Sequence, residues 1–197
     1  MHTSSLEHVK RLVGNHLDPK RSLHVVDIGS YDVNGSYKQF FEQPAWRYTG
    51  VDLAAGPNVD VVLTSPYRLP FRSFSIDVVV SGQAFEHVEY FWLTWMEMTR
   101  VLRPGGLIFL LAPSRGPEHR YPQDCWRFYP DGYRALAKYT GLELLEVSTD
   151  WEPHAIADSA PWGDTVGVFR RGPMSLAQRW RGRLAQQLRY LTVPGFR

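Results

Sequence analysis

The sequence predicts an α/β fold, a mostly parallel sheet with helices on both faces, and three observations carry that prediction. Short apolar runs of strand length alternate with helical stretches along most of the chain. The early runs are apolar on both faces and rich in Val, Ile and Leu, which suits strands covered on both sides rather than a sandwich with one wet face. A length of 197 residues, 44% of them hydrophobic and 21% charged, describes one domain with a real core and excludes a disordered chain, a collagen and a membrane bundle.

At the start, Ser4 and Glu7 have the spacing of an S-x-x-E capping box. Leu6, Val9, Leu12, Val13 and Leu17 then recur at helical spacing up to Asp18-Pro19, so residues 1–20 are expected to form a packing or lid helix. Expected strands follow at Leu23 to Gly29, Tyr48 to Leu53, Val59 to Leu63, Ile76 to Ser81, Gly106 to Ala112, Leu142 to Ser148 and Thr165 to Phe169. Helices are expected near Ser36 to Glu42, Glu89 to Leu102 and Asp131 to Tyr139. The second carries the apolar stripe Val88, Phe91, Trp92, Trp95 and Val101 and ends in a turn at Arg103 to Gly106. The stretch Pro113 to Pro130 is longer, more polar and more aromatic than a simple connection needs to be, and is read as a substrate lid. Residues 1–169 are thus expected to make the main domain and residues 170–197 an appendage.

That appendage carries seven arginines and no acid, which leaves fifteen bases against twenty acids in residues 1–169. An acidic body argues against a nucleic-acid partner. Leu176, Trp180, Leu184, Leu188 and Leu191 recur at helical spacing, giving a basic amphipathic helix whose expected uses are, in order, packing on the body or in a homodimer, docking on an anionic membrane, and holding a charged acceptor. With one cysteine, Cys125, and neither a signal core nor a spanning run, the chain reads as cytoplasmic, with no stable membrane insertion.

Asp27, Gly29 and Gly35 lie where a buried strand breaks into a turn of small residues, VVDIGSYDVNGSY. A turn without side chains lets the backbone approach a ligand, and strand ends in open parallel sheets frame crevices. Asp52 closes the next strand, 23 residues after Gly29, where a carboxylate suits vicinal ribose hydroxyls. Each acid also has a structural reading: Asp27 holding turn amides, Asp52 capping the next element. The spacing is not G-x-G-x-x-G, which opposes an NAD enzyme.

These segments, with LPFRSFSIDVVVSGQAFEHV and RVLRPGGLIFLLAPS, form an ordered series that resembles the class I S-adenosylmethionine (SAM)-dependent methyltransferases over roughly Leu23 to Phe169. The resemblance implies a Rossmann-like seven-stranded sheet in the order 3-2-1-4-5-7-6 with the last strand antiparallel. SAM would lie against Asp27, Gly29, Ser30, Asp52, Leu53, Ser65 and Ser81 and leave as S-adenosylhomocysteine. Tyr31 stands where the family has its second glycine, and Asn34-Gly35 is expected to supply the tight turn in another register. Ser65 stands where many relatives have an aspartate.

Methyl transfer to a hydroxyl needs in-line alignment and a base. Candidate bases are His119, oriented by a carboxylate of the lid, then His87, then His154. Glu86, His87, Glu118, His119 and Asp124 could together hold Mg2+, with the carboxylates of Glu86, Glu118 and Asp124 as the principal ligands. Glu118, Arg120, Tyr121, Asp124, Trp126 and Arg127, joined by Gln123, Phe128, Tyr129, Trp151 and Trp162, mix flat rings with polar groups, a composition suited to a saccharide acceptor. The D-x-WRFYPDGY stretch is also similar to bacterial sugar and polysaccharide O-methyltransferases. The rivals are a phenolic or polyketide acceptor and a non-catalytic methyltransferase-like binding module.

Overall fold

The computed structural model describes residues 2–192. In chain order its elements are α1 (Thr3–His16), β1 (Leu23–Ile28), a 3-10 turn (Tyr37–Phe40), β2 (Trp46–Asp52), β3 (Val61–Val62), β4 (Ile76–Gly82) and a second 3-10 turn (Phe85–His87). Then come α2 (Phe91–Val101), β5 (Leu102–Pro113), α3 (Pro130–Thr140), β6 (Glu143–Thr149), β7 (Asp164–Arg170) and α4 (Leu176–Thr192). The seven strands form one sheet in the order β3-β2-β1-β4-β5-β7-β6. Pairing is parallel from β3 to β5, while β7 runs antiparallel to both β5 and β6.

Alternation along the central strands divides the core in two. Val26, Val79, Ile108 and Leu110 face Trp95 and Met98 of α2 and Tyr133 and Leu136 of α3. Val25, Val78, Val80, Phe109 and Leu111 face Val9 and Leu12 of α1, with Tyr37 and Phe41. Both faces of β1, β4 and β5 are therefore dry, as their unbroken apolar runs require.

Five local expectations are corrected. The capping box does not form: His2 is the N-cap of α1 and makes no side-chain cap bond. Instead the N–H groups of Thr3 and Ser4 donate to Asp158 Oδ2 and Ser159 Oγ at 3.2 and 3.0 Å, and Ser4 Oγ donates to Asp164. First-turn amides need acceptors, and here the loop before β7 supplies them. The third strand shrinks to two residues, and the helix near Ser36 is one 3-10 turn capped by Ser36 Oγ. The turn at Arg103 to Gly106 belongs to β5 itself: Ile76 pairs with Leu102 and Val78 with Leu107, so the extra residues bulge from the ladder. Finally, α4 does not bury its apolar stripe on the body, since Leu176, Trp180 and Leu184 are 75%, 70% and 60% exposed. The side chain of Leu191 lies outside the described residues. Among those residues no helix is long and apolar enough to cross a membrane.

Candidate active site

The strands β1, β2 and β4 end on one edge of the sheet, and the loops that leave them build the site. Gly29 leaves β1 with φ +81°, and a Cβ there would stand 2.5 Å from Ala84 Cβ. Only glycine permits both that conformation and that approach. The turn itself closes at Gly35, φ +125°, whose N–H donates to Asp32 Oδ1 at 2.7 Å. This is the register expected of Asn34-Gly35. Tyr31 is therefore not a turn residue, and its ring lies on Gly56, where a Cβ would come within 2.1 Å of it.

Asp27 is buried at the end of β1. Tyr48 O–H donates to its Oδ2 at 2.6 Å, while Oδ1 is buried without a hydrogen-bond partner. Burial raises its pKa to about 7, against the lowering effect of the Tyr48 bond. Asp52, at the end of β2, accepts the N–H groups of Tyr31 and Ala54 at 3.1 and 3.2 Å, and remains partly exposed. Ser30 and Ser81 are buried and bind backbone, Ser30 Oγ to Asn58 O and Ser81 Oγ to Ile28 O, both at 3.0 Å. Leu53, directly after Asp52, is 53% exposed, and Ser65 Oγ accepts the N–H of Tyr67.

From β4 the chain passes through Ala84 into the 3-10 turn that places Glu86 and His87. Glu86 is fully buried, neither carboxylate oxygen has a hydrogen-bond partner, and burial pushes its pKa up to about 8. Its backbone carbonyl accepts the N–H groups of Cys125 and Trp126 at 2.7 and 3.3 Å, so the lid is fastened across this turn. Burial lowers the pKa of His87. Its ring meets that of His119 edge to face, with centroids 4.8 Å apart. His119 also lies against Trp162, at 4.6 Å, and its Nδ1 is 3.4 Å from Asp124 Oδ2. The structure thus brings together three residues expected to act, Glu86, His87 and His119.

The other lid residues divide into those that hold the lid and those that face outward. Arg127 grips Asp124 through two N–H groups at 2.5 and 2.8 Å and reaches the Pro117 carbonyl, which holds the Asp124 carboxyl well below the usual range. Glu118 pairs with Arg120 on the surface. The carboxylate set expected for Mg2+ is therefore not assembled, because two of its three members already pair with arginines. Phe128 is corrected from the acceptor wall to the core: it is 5% exposed and packs against Phe85, Phe91 and Tyr133. Trp126 packs on Phe91 and Trp92, Tyr129 stacks on Trp151, and Tyr121 is 60% exposed with its ring 6.4 Å from His87. His154 pairs with Glu7 of α1 rather than with this cluster. Composition marks Trp162 and Gln123 only as additions to the lid chemistry, yet Trp162 covers His119 and Gln123, through its backbone carbonyl, meets His87 Nδ1 at 2.5 Å.

Residues 26–110 match a family described as methyltransferase domain. An uncharacterized methyltransferase of Mycolicibacterium gilvum is 30% identical over 90% of this chain and 72% of its own length. Another, from Mycobacterium avium, is 32% identical over 73% of this chain and 62% of its own. The chain therefore spans somewhat over half to nearly three quarters of these relatives. Among solved structures, the Burkholderia thailandensis 1,6-didemethyltoxoflavin-N1-methyltransferase, with bound 1,6-didemethyltoxoflavin and S-adenosylhomocysteine, superposes with a TM-score of 0.66. It is 17% identical over 86% of this chain and 79% of its own, a likeness of fold alone.

Proposed function

The chain belongs to the class I SAM-dependent methyltransferases, and from that premise we propose that it methylates a hydroxyl group of a small polar acceptor, a saccharide in the first instance. The observation that carries the reading is the contact of Gly29 with Ala84, which sets the cofactor loop directly beside the turn bearing Glu86 and His87. A methyl donor and a polar acceptor would meet there.

The residues fit the cofactor. The buried, unpartnered Oδ1 of Asp27 suits a cationic ligand, and Asp52 keeps acceptor capacity for ribose hydroxyls after binding two backbone N–H groups. When bound, SAM supplies an electrophilic methyl group on a sulfonium. The protein then has three tasks. Gly29 and Asp52 orient the donor; Tyr121 and Trp162 offer ring faces for the C–H surface of a sugar; and the Glu86, His87 and His119 cluster receives the acceptor proton, at His119 when no metal is present. The lid is held in place by Arg127 and Asp124, so this chemistry sits on a braced loop.

Calorimetric titration with SAM and S-adenosylhomocysteine, with NAD as control, tests the premise. Binding near micromolar, about −8 kcal/mol, is expected for the first two and none for NAD. Labelled SAM with panels of sugars and of phenols then tests the acceptor. Transfer to phenols alone overturns the saccharide reading, and cofactor binding without transfer to either panel favours a binding module. His119→Gln is expected to abolish transfer in metal-free protein with cofactor affinity unchanged.

A further inference from the structure

Among the described residues two groups of three side chains could hold a metal ion, His8, Asp150 and Asp164, and Glu86, His87 and His119. They differ in what their atoms already do. In the first group His8 Nε2 bonds Asp150 at 2.8 Å, and Asp164 takes bonds from His2, Ser4 and Gln83 at 3.0, 3.2 and 2.8 Å. Those bonds fasten the start of the chain and α1 to β7 and to the end of β6, and Gln83 after β4 to β7, so this group has a structural explanation.

In the second group the contacts of the two histidines leave the carboxylate unexplained. Glu86 is wholly buried with both carboxylate oxygens unpartnered, a costly arrangement for a group that serves only the fold. His87 Nδ1 lies 2.5 Å from the Gln123 carbonyl. A carbonyl only accepts, so Nδ1 carries the hydrogen and Nε2 keeps its lone pair, 3.6 Å from Glu86 Oε1. His119 Nδ1 is also buried without a hydrogen bond, 3.4 Å from Asp124 Oδ2, which accepts the His119 backbone N–H at 2.9 Å. One ligand atom from each of the three lies within 4.8 Å of the others.

We propose that Glu86, His87 and His119 form a binding site for one divalent transition-metal ion of the zinc type. Two imidazoles and one carboxylate suit Zn2+ and its first-row neighbours, whereas Mg2+ favours an all-oxygen shell. Ligand atoms around a tetrahedral ion at ~2.1 Å stand roughly 3.4 Å apart, so closure from separations of up to 4.8 Å needs a contraction of at most about 1.4 Å, to be taken up by side-chain rotation. The Gln123 carbonyl fixes the tautomer of one ligand, and Asp124 fixes the backbone of the other; such outer partners are usual around metal-bound histidines. Three protein ligands leave an open position for a ligand oxygen.

The role of the ion rests on the reading of this place as the acceptor site. An acceptor hydroxyl at the open position would be acidified, its proton passing to solvent water. The freed oxygen pair forms the new O–C bond as the C–S bond breaks, and that bonding pair stays on sulfur as the thioether. With the ion bound, His119 is a ligand and the base role assigned to it in metal-free protein lapses.

The test is a titration of the chelator-stripped full chain with Co2+, followed by its visible ligand-field absorption and by competition with Zn2+. The proteins are the unaltered chain, Glu86→Gln, His119→Asn and, from the other group, His8→Ala, each checked for folding by circular dichroism. One Co2+ per chain is expected for the unaltered protein and His8→Ala, with affinity at least about tenfold weaker in the other two. No binding by the unaltered chain, or equal binding by all four, overturns the site. S-adenosylhomocysteine is titrated into the same samples. Co2+ binding without S-adenosylhomocysteine binding would sink the methyltransferase reading and spare the metal site, and the converse would sink the metal site alone.

Discussion

Asp27→Asn should stabilise the protein, and by an amount that grows with pH. The carboxyl is fully buried with one oxygen unpartnered, and its pKa is raised from 3.8 to about 7. A folded-state pKa above the unfolded one means that the folded state holds the proton more tightly. No penalty exists where both states are protonated; it grows as pH rises from the unfolded value and levels off above about 7. At 1.36 kcal/mol per unit the full penalty is about 4 kcal/mol, of which about 2.5 kcal/mol develops between pH 5 and 8.5. Asparagine keeps a carbonyl oxygen for the Tyr48 hydroxyl and has no charge to bury. Its advantage in thermal melting should therefore widen by roughly 5–10 °C across that range for a chain of this size. The same variant should bind SAM at least about tenfold more weakly, since the desolvated charge is what a cation would find there. A melting advantage that is flat with pH would refute the reasoning, because Asp27 would then not ionise across the interval.

Two further outcomes are expected. Gly29→Ala must hold an alanine at φ +81°, which costs about 1–2 kcal/mol, and must also displace Ala84 from a Cβ contact of 2.5 Å; a lower melting temperature and at least about tenfold weaker S-adenosylhomocysteine binding should appear together. Phe128→Ala removes a buried ring packed on Phe85, Phe91 and Tyr133 and should cost about 3–5 kcal/mol in denaturant unfolding, whereas a cost below about 1 kcal/mol would return Phe128 to the acceptor wall.

What the sequence made legible is what depends on local order. The Val-rich runs of β1, β4 and β5 show two dry faces without any structure, and the ordered motifs supply the strand order that such runs alone do not. The contacts that were missed join distant parts of the chain. Nothing near Thr3 announces that its helix is capped from Asp158 and Ser159, 155 residues away. Phe128 in an aromatic lid is indistinguishable by composition from Tyr121, although one lies in the core and the other in water. Arg127 three residues after Asp124 was a visible signal that this carboxylate was already taken. Glu86 gave another, an acid directly after a core phenylalanine, yet its isolation from every hydrogen-bond donor appears only in three dimensions.

Gly29 and Ala84 approach so closely that no methyl group fits between them. On the proposed reading, in which donor and acceptor lie on either side of this contact, a displacement of one loop would be felt by the other. By thermodynamic reciprocity, whatever one ligand does to the affinity of the second, the second does equally to the first. On that reading, exchanging residues 83–88 alone to change acceptor preference would alter cofactor affinity as well, and the loops at 29–35 and 83–88 should be transplanted from a relative together.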